Sequence, residues 1–392
     1  MARNRGLDSL RGLAILLVLG VHVQASPTWA KVGWLGVDLF FVLSGFLISN
    51  LLFSEYKTHG SINLKSFYIR RGFKLYPSFY LLVLATILYC WIAGRGIRPG
   101  TALAEVTFMQ NYFTGLWGHT WSLAVEEHFY ILLPLSLVCM ARFAPGGKPF
   151  RGIPVLFLVV AILCLAARVA TSRLMEFQYN THFQRSHLRF DSLLFGVLLS
   201  YYFNFESARI SKWTGPYRKR LFFGSFLAIL PCVILPNSNP WVYTIGFSLA
   251  YMSFGGLLLL TLFDERGKLV VNKKSGIAER VLAGIGFSSY SIYLWHVPIA
   301  MAFGPFNHWL EEQHVQVNPY CLFVVYLLVS IVFGSAISKL LELPLLRFRD
   351  RVVPRRAKLG MGADVEEAYE VRGERTSLVG LVEFENGPIA NR

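Results

Sequence analysis

Long apolar runs, separated by short polar and basic segments, dominate the chain. Ten of these runs are long enough to cross roughly 30 Å of hydrocarbon as helices. They lie at 9–26, 34–54, 76–93, 121–141, 153–170, 188–204, 221–236, 241–263, 283–303 and 320–343. The pattern predicts an all-α, polytopic membrane protein with about ten transmembrane helices. The runs at 188–204 and 221–236 are short, so nine and eleven spans stand as alternatives.

The distribution of basic residues indicates how these spans are oriented. If the N-terminus is cytoplasmic, 26 lysines and arginines fall in segments on the cytoplasmic side and five on the opposite side. Such an asymmetry follows the positive-inside rule and predicts that both termini are cytoplasmic. An odd number of spans would break the alternation.

Composition favours lipid as the solvent of this chain. The sequence is 54% hydrophobic and 16% charged, a balance more typical of membrane proteins than of soluble domains. Its net charge of +15 comes from short clusters between apolar runs and not from one basic face, which argues against nucleic acid as a partner. The five cysteines lie in apolar runs without paired or metal-ligand spacing, so we expect neither a disulfide framework nor a metal site.

The two ends of the chain differ from its apolar body. After about residue 344 the sequence RFRDRVVPRRAK leads into an acidic, glycine-containing segment. We therefore predict a transmembrane domain at 1–345 and a largely disordered cytoplasmic tail at 346–392. The N-terminal segment MARNRGLDSLRG has no small-residue cleavage site after its apolar run, which indicates a retained first span.

Two ionisable residues of the first predicted span point to chemistry inside the membrane. Arg11 and His22 are eleven residues apart, close to three helical turns, so both project from one face about 16 Å apart along the axis. A neutral imidazole near the middle of the membrane is able to take a proton from a hydroxyl group. The alternative is a histidine that is hydrogen-bonded between packed helices. Arg11 on the same face favours a catalytic function for the pair over this structural alternative.

The fourth predicted span begins with an unusual group of polar side chains in HTWSLAVEEHFY. Glu126 shares a helical face with Ser122 and Tyr130, while Glu127 points about 100° away. Carboxylates inside a span are costly unless they face a cavity or a partner. We predict a catalytic role for Glu126 and substrate-binding or orienting roles for Ser122 and Glu127. The alternative is an anchor at the membrane interface, which explains Trp121 better than it explains the glutamates.

Asp38 in the second span and His296 in the ninth are the remaining candidates for binding or orienting a substrate. Asp38 also has a structural alternative, which is to brace a neighbouring helix, for example by pairing with Arg11. Arg189 and Asp191 diverge on a helix, so we expect each to find a different helix in a structural role.

Small residues of the second span are interpreted as packing positions. We expect Gly36, Ser44 and Gly45 to permit a close approach of helices and not to bind a ligand.

A basic cluster, FYIRRGFKLYP, precedes the third span. Arg71 and Lys74 are three residues apart, hence on one face of a helix, and such a pair at a membrane entrance suits a phosphate group. We predict that Arg70, Arg71 and Lys74 bind a ligand that carries phosphate. The alternative is a positive-inside anchor.

Five segments, in order along residues 5–345, resemble motifs of the acyltransferase 3 family of integral membrane O-acyltransferases. They are RGLDSLRGLAILLVLGVH, GVDLFFVLSGFLIS, FYIRRGFKLYP, TWSLAVEEHFYILLP and GFSSYSIYLWHVP. A chance match of five ordered motifs is improbable.

The resemblance implies an enzyme that moves an acyl group, commonly acetyl, from an acyl-CoA-type donor on the cytoplasmic side to a hydroxyl of a glycan, lipid-linked sugar or secondary metabolite. By motif match, His22 is the catalytic base and Arg11 its partner or a donor-binding residue. Arg71 and Lys74 fall on the family's Arg-x-x-Arg pattern, and the lysine weakens a bidentate grip on phosphate. His128 replaces a residue that is often glutamine, which leaves its role open.

We therefore predict a multi-pass acyltransferase of the inner or plasma membrane, with acyl-CoA as a donor substrate, lipids as partners and no tightly bound cofactor. The group transferred is other than aminoacyl. Direct transfer and an acyl-histidine intermediate are both compatible with the residues. The rival class is a transporter or proton relay, since intramembrane His, Glu and Arg also mark ion paths. A third possibility is a scaffold without chemistry. No esterase-like domain follows the tenth span, so we expect any onward transfer to need a separate protein.

Overall fold

Helices make up the regular structure of the chain. The computed structural model describes residues 4–21, 27–144, 148–270, 276–314 and 317–354, and within these ranges it contains no strand. This confirms the predicted all-α class. The α-helices are α1 Arg5–Leu19, α2 Pro27–Val32, α3 Leu35–His59, α4 Leu64–Ile92, α5 Pro99–Val106, α6 Trp121–Phe143, α7 Ile153–Leu174, α8 Tyr179–Phe183, α9 Phe190–Phe205, α10 Ser207–Thr214, α11 Arg218–Ile234, α12 Phe247–Leu262, α13 Ile277–Phe287, α14 Ser289–Glu312, α15 Pro319–Ile337 and α16 Leu343–Val352.

Six helical segments are long and apolar enough to cross a membrane. They are Trp29–His59, Leu64–Ile92, Gly118–Phe143, Ile153–Leu174, Val242–Leu262 and Pro319–Val352. Each coincides with one of the ten predicted runs. The other four runs also form helices, as α1, α9, α11 and α14. With 15 to 17 residues, α1, α9 and α11 each rise only about 23 to 26 Å. The fold is thus that of a multi-pass helical membrane protein, and the count of ten stays a prediction.

Glycines allow the central helices to touch backbone to backbone. A Cβ atom on Gly45 of α3 would lie 1.8 Å from the carbonyl oxygen of Leu193 on α9, and one on Gly36 would lie 2.3 Å from that of Ala14 on α1. Both distances are far below van der Waals contact, so only glycine fits at these crossings. The predicted packing role of Gly36 and Gly45 is confirmed, whereas Ser44 faces a cavity described below.

Two fully buried ion pairs connect α3, α7 and the start of α9. The Arg189 guanidinium lies 2.5 Å from a carboxylate oxygen of Asp38, and that of Arg168 lies 2.6 Å from Asp191. All four side chains are at most 1% exposed. Arg189 and Asp191 therefore bind different helices, as predicted. The suggested pairing of Asp38 with Arg11 is wrong, because Arg189 reaches the Asp38 carboxylate directly.

A buried carboxylate orders the loop that leads into α6. Glu105 accepts hydrogen bonds from the backbone N–H groups of Leu116 and Trp117 and from the Thr120 hydroxyl. Burial raises the pKa of Glu105, and these hydrogen bonds oppose that shift. The loop ends at Trp121, where α6 begins. The Glu105 contacts thus fix the start of the helix that carries Ser122 and Glu126.

Two predictions reach beyond the described residues. Helix α1 ends at Leu19, and His22 lies outside the described ranges, so its position in the membrane stays a prediction. Within the predicted tail, α16 continues to Val352, and residues 355–392 lie outside the described ranges. The disorder of that stretch and the domain boundary at 345 likewise stay predictions.

The buried pair between α3 and α9 generates a stability prediction. Replacing Asp38 with Asn removes the carboxylate that contacts the buried Arg189 guanidinium and leaves Asp191 at longer range, so we expect a loss of about 3–5 kcal/mol in the free energy of unfolding in detergent. The Asp38→Leu/Arg189→Leu double variant should recover much of that loss. Glu312→Gln is the matched control, because it breaks an exposed ion pair and should cost less than about 1 kcal/mol. Wild-type stability in Asp38→Asn would contradict the structural role of the pair.

Candidate active site

A cavity of about 170 Å³ lies between α1, α3, α4, α6 and α14. Each of these helices contributes polar side chains to the cavity, and apolar side chains complete its lining. Its lining consists of Arg11, Val37, Phe40, Phe41, Leu43, Ser44, Leu47, Ile48, Arg71, Lys74, Leu75, Ser122, Leu123, Glu126, Tyr130, Ser289, Tyr290 and Tyr293.

Glu126 is the carboxylate of this cavity, and donors from three helices hold it. The Ser44 hydroxyl of α3 donates to one oxygen at 2.8 Å, and the Tyr130 hydroxyl of α6 donates to the other at 2.7 Å. The Arg71 guanidinium of α4 lies 3.8 Å from the second oxygen. Glu126 is four residues before Tyr130, so the predicted shared face of α6 is observed. Its orientation is fixed because both oxygens accept hydrogen bonds.

Three cations surround the cavity. The Arg71 guanidinium stacks 3.9 Å from the centre of the Tyr130 ring, which fixes its plane. The Lys74 ammonium donates to Glu342 at 2.6 Å. Arg11 differs from both, because it forms no direct ion pair within the described part of the chain, and the carboxylates of Asp8 and Glu126 act on it only at longer range. An arginine in this state is available to an anionic or polarised group of a ligand.

A hydroxyl pair closes another side of the cavity. The Tyr293 hydroxyl donates to the backbone carbonyl of His119 at 2.5 Å and lies 2.6 Å from the Ser122 hydroxyl, which therefore donates to it. The ring centres of His119 and His296 are 5.1 Å apart in the layer behind this pair, and both rings are buried. His296 is thus connected to the cavity through Tyr293, whose carbonyl oxygen is 2.5 Å from its Nδ1 atom.

The structure brings together five of the predicted site residues. Arg11, Arg71, Lys74, Ser122 and Glu126 all line the cavity.

The other predicted site residues lie elsewhere. Asp38 is in the buried pair with Arg189, and Glu127 accepts a hydrogen bond from the Tyr76 hydroxyl at 3.2 Å, away from the cavity. His296 lies one layer behind it, and Arg70 lies in a neighbouring space. The position of His22 falls outside the described residues.

A second, wider space continues from the cavity between α3, α4 and α16, and we call it the vestibule. It measures about 390 Å³ and shares Ile48, Arg71 and Lys74 with the cavity. Its lining consists of Ile48, Leu51, Ser54, Glu55, Thr58, His59, Ser66, Phe67, Arg70, Arg71, Lys74 and Arg349. In the predicted topology this space faces the cytoplasm. A long ligand with an anionic end is therefore able to reach from the vestibule into the cavity.

Sequence reasoning missed several residues of the cavity. Ser44 was assigned to packing, although it lies on the face of α3 that binds Glu126. Tyr290, Tyr293 and Glu342 were not selected. Glu342 could have been recognised from the sequence, because it is a single carboxylate at the end of an apolar run, where a buried partner is expected. The partners of the two tyrosines depend on how α14 packs, which the spacing of residues along one helix does not show.

Comparisons with known proteins identify the family of the chain. The family model described as an acyltransferase domain, acyltransferase 3, matches residues 4–339. The chain is similar to a peptidoglycan O-acetyltransferase of Listeria monocytogenes, with 29% identity over 75% of this chain and 49% of that protein. It is also similar to a provisionally named O-acetyltransferase of Staphylococcus aureus, with 30% identity over 86% of this chain and 56% of that protein.

A provisionally named peptidoglycan O-acetyltransferase of Bacillus subtilis is 28% identical over 76% of this chain and 49% of its own length. The chain thus spans about half the length of the curated relatives that it matches. No solved structure is significantly similar to it.

The geometry of the cavity predicts how a thiol placed in it reacts. In a variant without the native cysteines, Ser44→Cys should react with a small anionic methanethiosulfonate reagent added at the cytoplasmic face of membrane vesicles. The reaction should be slower with a cationic reagent of equal size, because three cations line the cavity. Ser49→Cys is the matched control on α3, since Ser49 is fully buried outside both spaces, and it should stay unlabelled. Equal labelling of the two variants, or labelling of Ser44→Cys from the opposite face alone, would contradict the opening through the vestibule.

Proposed function

The chain belongs to the acyltransferase 3 family, and from that premise we propose that it is a membrane-embedded O-acyltransferase. The donor is an acyl-CoA-type thioester that carries an acetyl group, and the acceptor is a hydroxyl of a glycan. One observation supports the donor most directly: a cavity with three cations and a firmly oriented carboxylate continues into a basic vestibule. The names of the relatives, which are O-acetyltransferases, support acetyl as the group and peptidoglycan as the type of glycan.

An acyl-CoA donor has a charged end, which carries phosphates, and a mostly apolar end, which carries the thioester. The vestibule and the cavity differ in the same way. Phosphates suit the vestibule, where Arg70, Arg71, Lys74 and Arg349 supply charge. The thioester end is small and mostly apolar apart from its carbonyl, and it suits the cavity, whose lining includes Val37, Phe40, Phe41, Leu43, Leu47 and Leu123. A space of about 170 Å³ favours a short acyl group over a long one.

The reaction needs a base for the acceptor hydroxyl and a cation for the developing oxyanion. In our proposal His22 removes the hydroxyl proton, the alkoxide attacks the thioester carbonyl, and the C–O bond forms as the C–S bond breaks. The proton passes from His22 to the departing thiolate. Arg11 stabilises the oxyanion, since it is the cavity cation without a carboxylate within ion-pair distance among the described residues. In the alternative route the His22 imidazole itself attacks the thioester carbonyl, the thiolate leaves, and the acceptor hydroxyl then attacks the acyl-histidine and loses its proton to that thiolate.

In this proposal the role of Glu126 is to orient a neighbouring side chain. Its hydrogen bonds from Ser44 and Tyr130 leave it poorly placed to accept a further proton, while its charge faces Arg71. We assign to it the orientation of Arg71 toward the donor. Ser122 and Tyr293 form the boundary that an acceptor hydroxyl would approach. His296 supports that boundary from behind.

We also propose ten membrane spans in the plasma membrane, with both termini cytoplasmic. All ten predicted runs contain helices, and the basic residues divide as 26 on the cytoplasmic side and five on the other. Residues 1–345 form the membrane domain in this proposal, and the segment after α16 is a cytoplasmic tail. This topology places the vestibule on the side where acyl-CoA is available.

The assigned base and cation yield the main activity prediction. Purified protein with acetyl-CoA and soluble glycan fragments should release free thiol and acetylate the fragments, measured by thiol titration and mass spectrometry. His22→Ala should lower turnover by about 100-fold or more, since a general base contributes roughly 10²–10⁴-fold. Arg11→Lys should retain more activity than Arg11→Leu, because it keeps the charge.

The matched control is His314→Ala, since His314 lies in an exposed turn away from both spaces, and its turnover should equal that of the wild type. Wild-type turnover in His22→Ala, with normal expression, would refute its role as the base. No thiol release by the wild-type protein with any glycan acceptor would refute the proposed donor and acceptor.

A further inference from the structure

One wall of the vestibule comes from a segment beyond the family match. That match ends at residue 339, whereas α16 begins at Leu343 and supplies Arg349 to the lining of the vestibule. The Arg349 side chain is 15% exposed, so it is largely enclosed and not a free surface group. Arg349 therefore lines the vestibule from a helix that lies outside the matched range.

The position of α16 is fixed by contacts to α4. The Arg70 guanidinium donates to Asp350 at 2.8 Å and to the backbone carbonyl of Val353 at 2.5 Å. Arg349 donates to the same Asp350 oxygen through two of its nitrogens, at 2.7 and 3.0 Å. Two guanidinium groups therefore share one carboxylate, and this part of the vestibule keeps a net positive charge. Phe348 adds a ring contact to Phe73, with centres 6.1 Å apart.

The turn before α16 brings the same segment to the junction of the two spaces. Residues Ser338–Glu342 form a π-helical turn, a feature that is frequent at functional sites. Glu342 at its end is 3% exposed and accepts hydrogen bonds from Lys74 and from the Ser291 hydroxyl. Because Lys74 lines both spaces, the Glu342 contact ties the segment to the path of a ligand that occupies them.

The charge of the vestibule identifies the ligand chemistry that fits it. Four of its lining residues are cations, and Glu55 is the single carboxylate among the lining residues. Arginine forks match phosphate oxygens in geometry and charge, and they are favoured where a phosphate is bound.

We propose that Arg349 of α16 binds a phosphate of the nucleotide end of the donor, so that α16 forms the phosphate wall of the donor site. This inference rests on the proposed function, because it presupposes a donor whose acyl end lies in the cavity and whose phosphates lie in the vestibule. Asp350 holds Arg349 in place through two hydrogen bonds, and its negative charge partly offsets the positive charge of Arg349 and Arg70. Arg70 anchors the wall from α4.

The test compares donors that differ only at the phosphate end. Acetyl-CoA carries the nucleotide phosphates, whereas acetyl-pantetheine carries the same thioester without them. Arg349→Ala should raise KM for acetyl-CoA about 10- to 100-fold, which corresponds to a charged hydrogen bond of roughly 1.5–3 kcal/mol. KM for acetyl-pantetheine and kcat for both donors should stay at the wild-type values. Arg349→Lys should lie between the wild type and Arg349→Ala for acetyl-CoA.

The matched control is Arg351→Ala, because Arg351 lies on the same helix, is exposed and does not line the vestibule. It should keep the wild-type KM for both donors. An equal KM for acetyl-CoA in wild type and Arg349→Ala, or an equal rise for both donors, would overturn the inference. If wild-type protein released no thiol from either donor, the proposed function itself would fail, and that result is distinct from either outcome.

Discussion

A carboxyl group inside a helical membrane bundle is tolerated only where polar partners surround it, and Glu126 shows how this requirement shapes the site. Ser44, Tyr130 and Arg71 come from three helices and meet at this one group. Glu126 is largely buried, so its contacts with these groups help to position the three helices relative to each other. The cavity follows from that convergence, because its lining is the set of faces that carry these polar groups.

Charge is distributed unevenly between the two polar regions of the bundle. In the pairs of Arg189 with Asp38 and Arg168 with Asp191, opposite charges are equal in number and fully enclosed, which is a structural arrangement. In the cavity the cations outnumber the carboxylate that lines it. The charge balance thus distinguishes the buried pairs, which brace the bundle, from the cavity, where the proposed donor would find cations.

The sequence contained enough information for the helices and for one face of the site. Apolar runs predicted the helices, and spacing along a helix correctly placed Ser122, Glu126 and Tyr130 on one face, as it did Arg71 and Lys74. Contacts between side chains of different helices were not predicted correctly, because they depend on how the helices pack, which residue spacing along one helix does not show. Asp38 is bound by Arg189 and not by Arg11 for this reason, and Glu127 turns to Tyr76. The roles of α16 and of Glu342 depend on the return of the chain to α4, which only the fold reveals.

The most direct measurement is a cryo-EM structure of the full chain with a non-hydrolysable acetyl-CoA analogue. If the site is as proposed, the acetyl group lies in the cavity with its carbonyl oxygen within about 3 Å of the Arg11 guanidinium. The phosphates then lie in the vestibule against Arg349 and Arg71. An analogue bound on the opposite face of the protein, or one with its thioester outside the cavity that Glu126 helps to form, would contradict the assignment of this cavity as the active site.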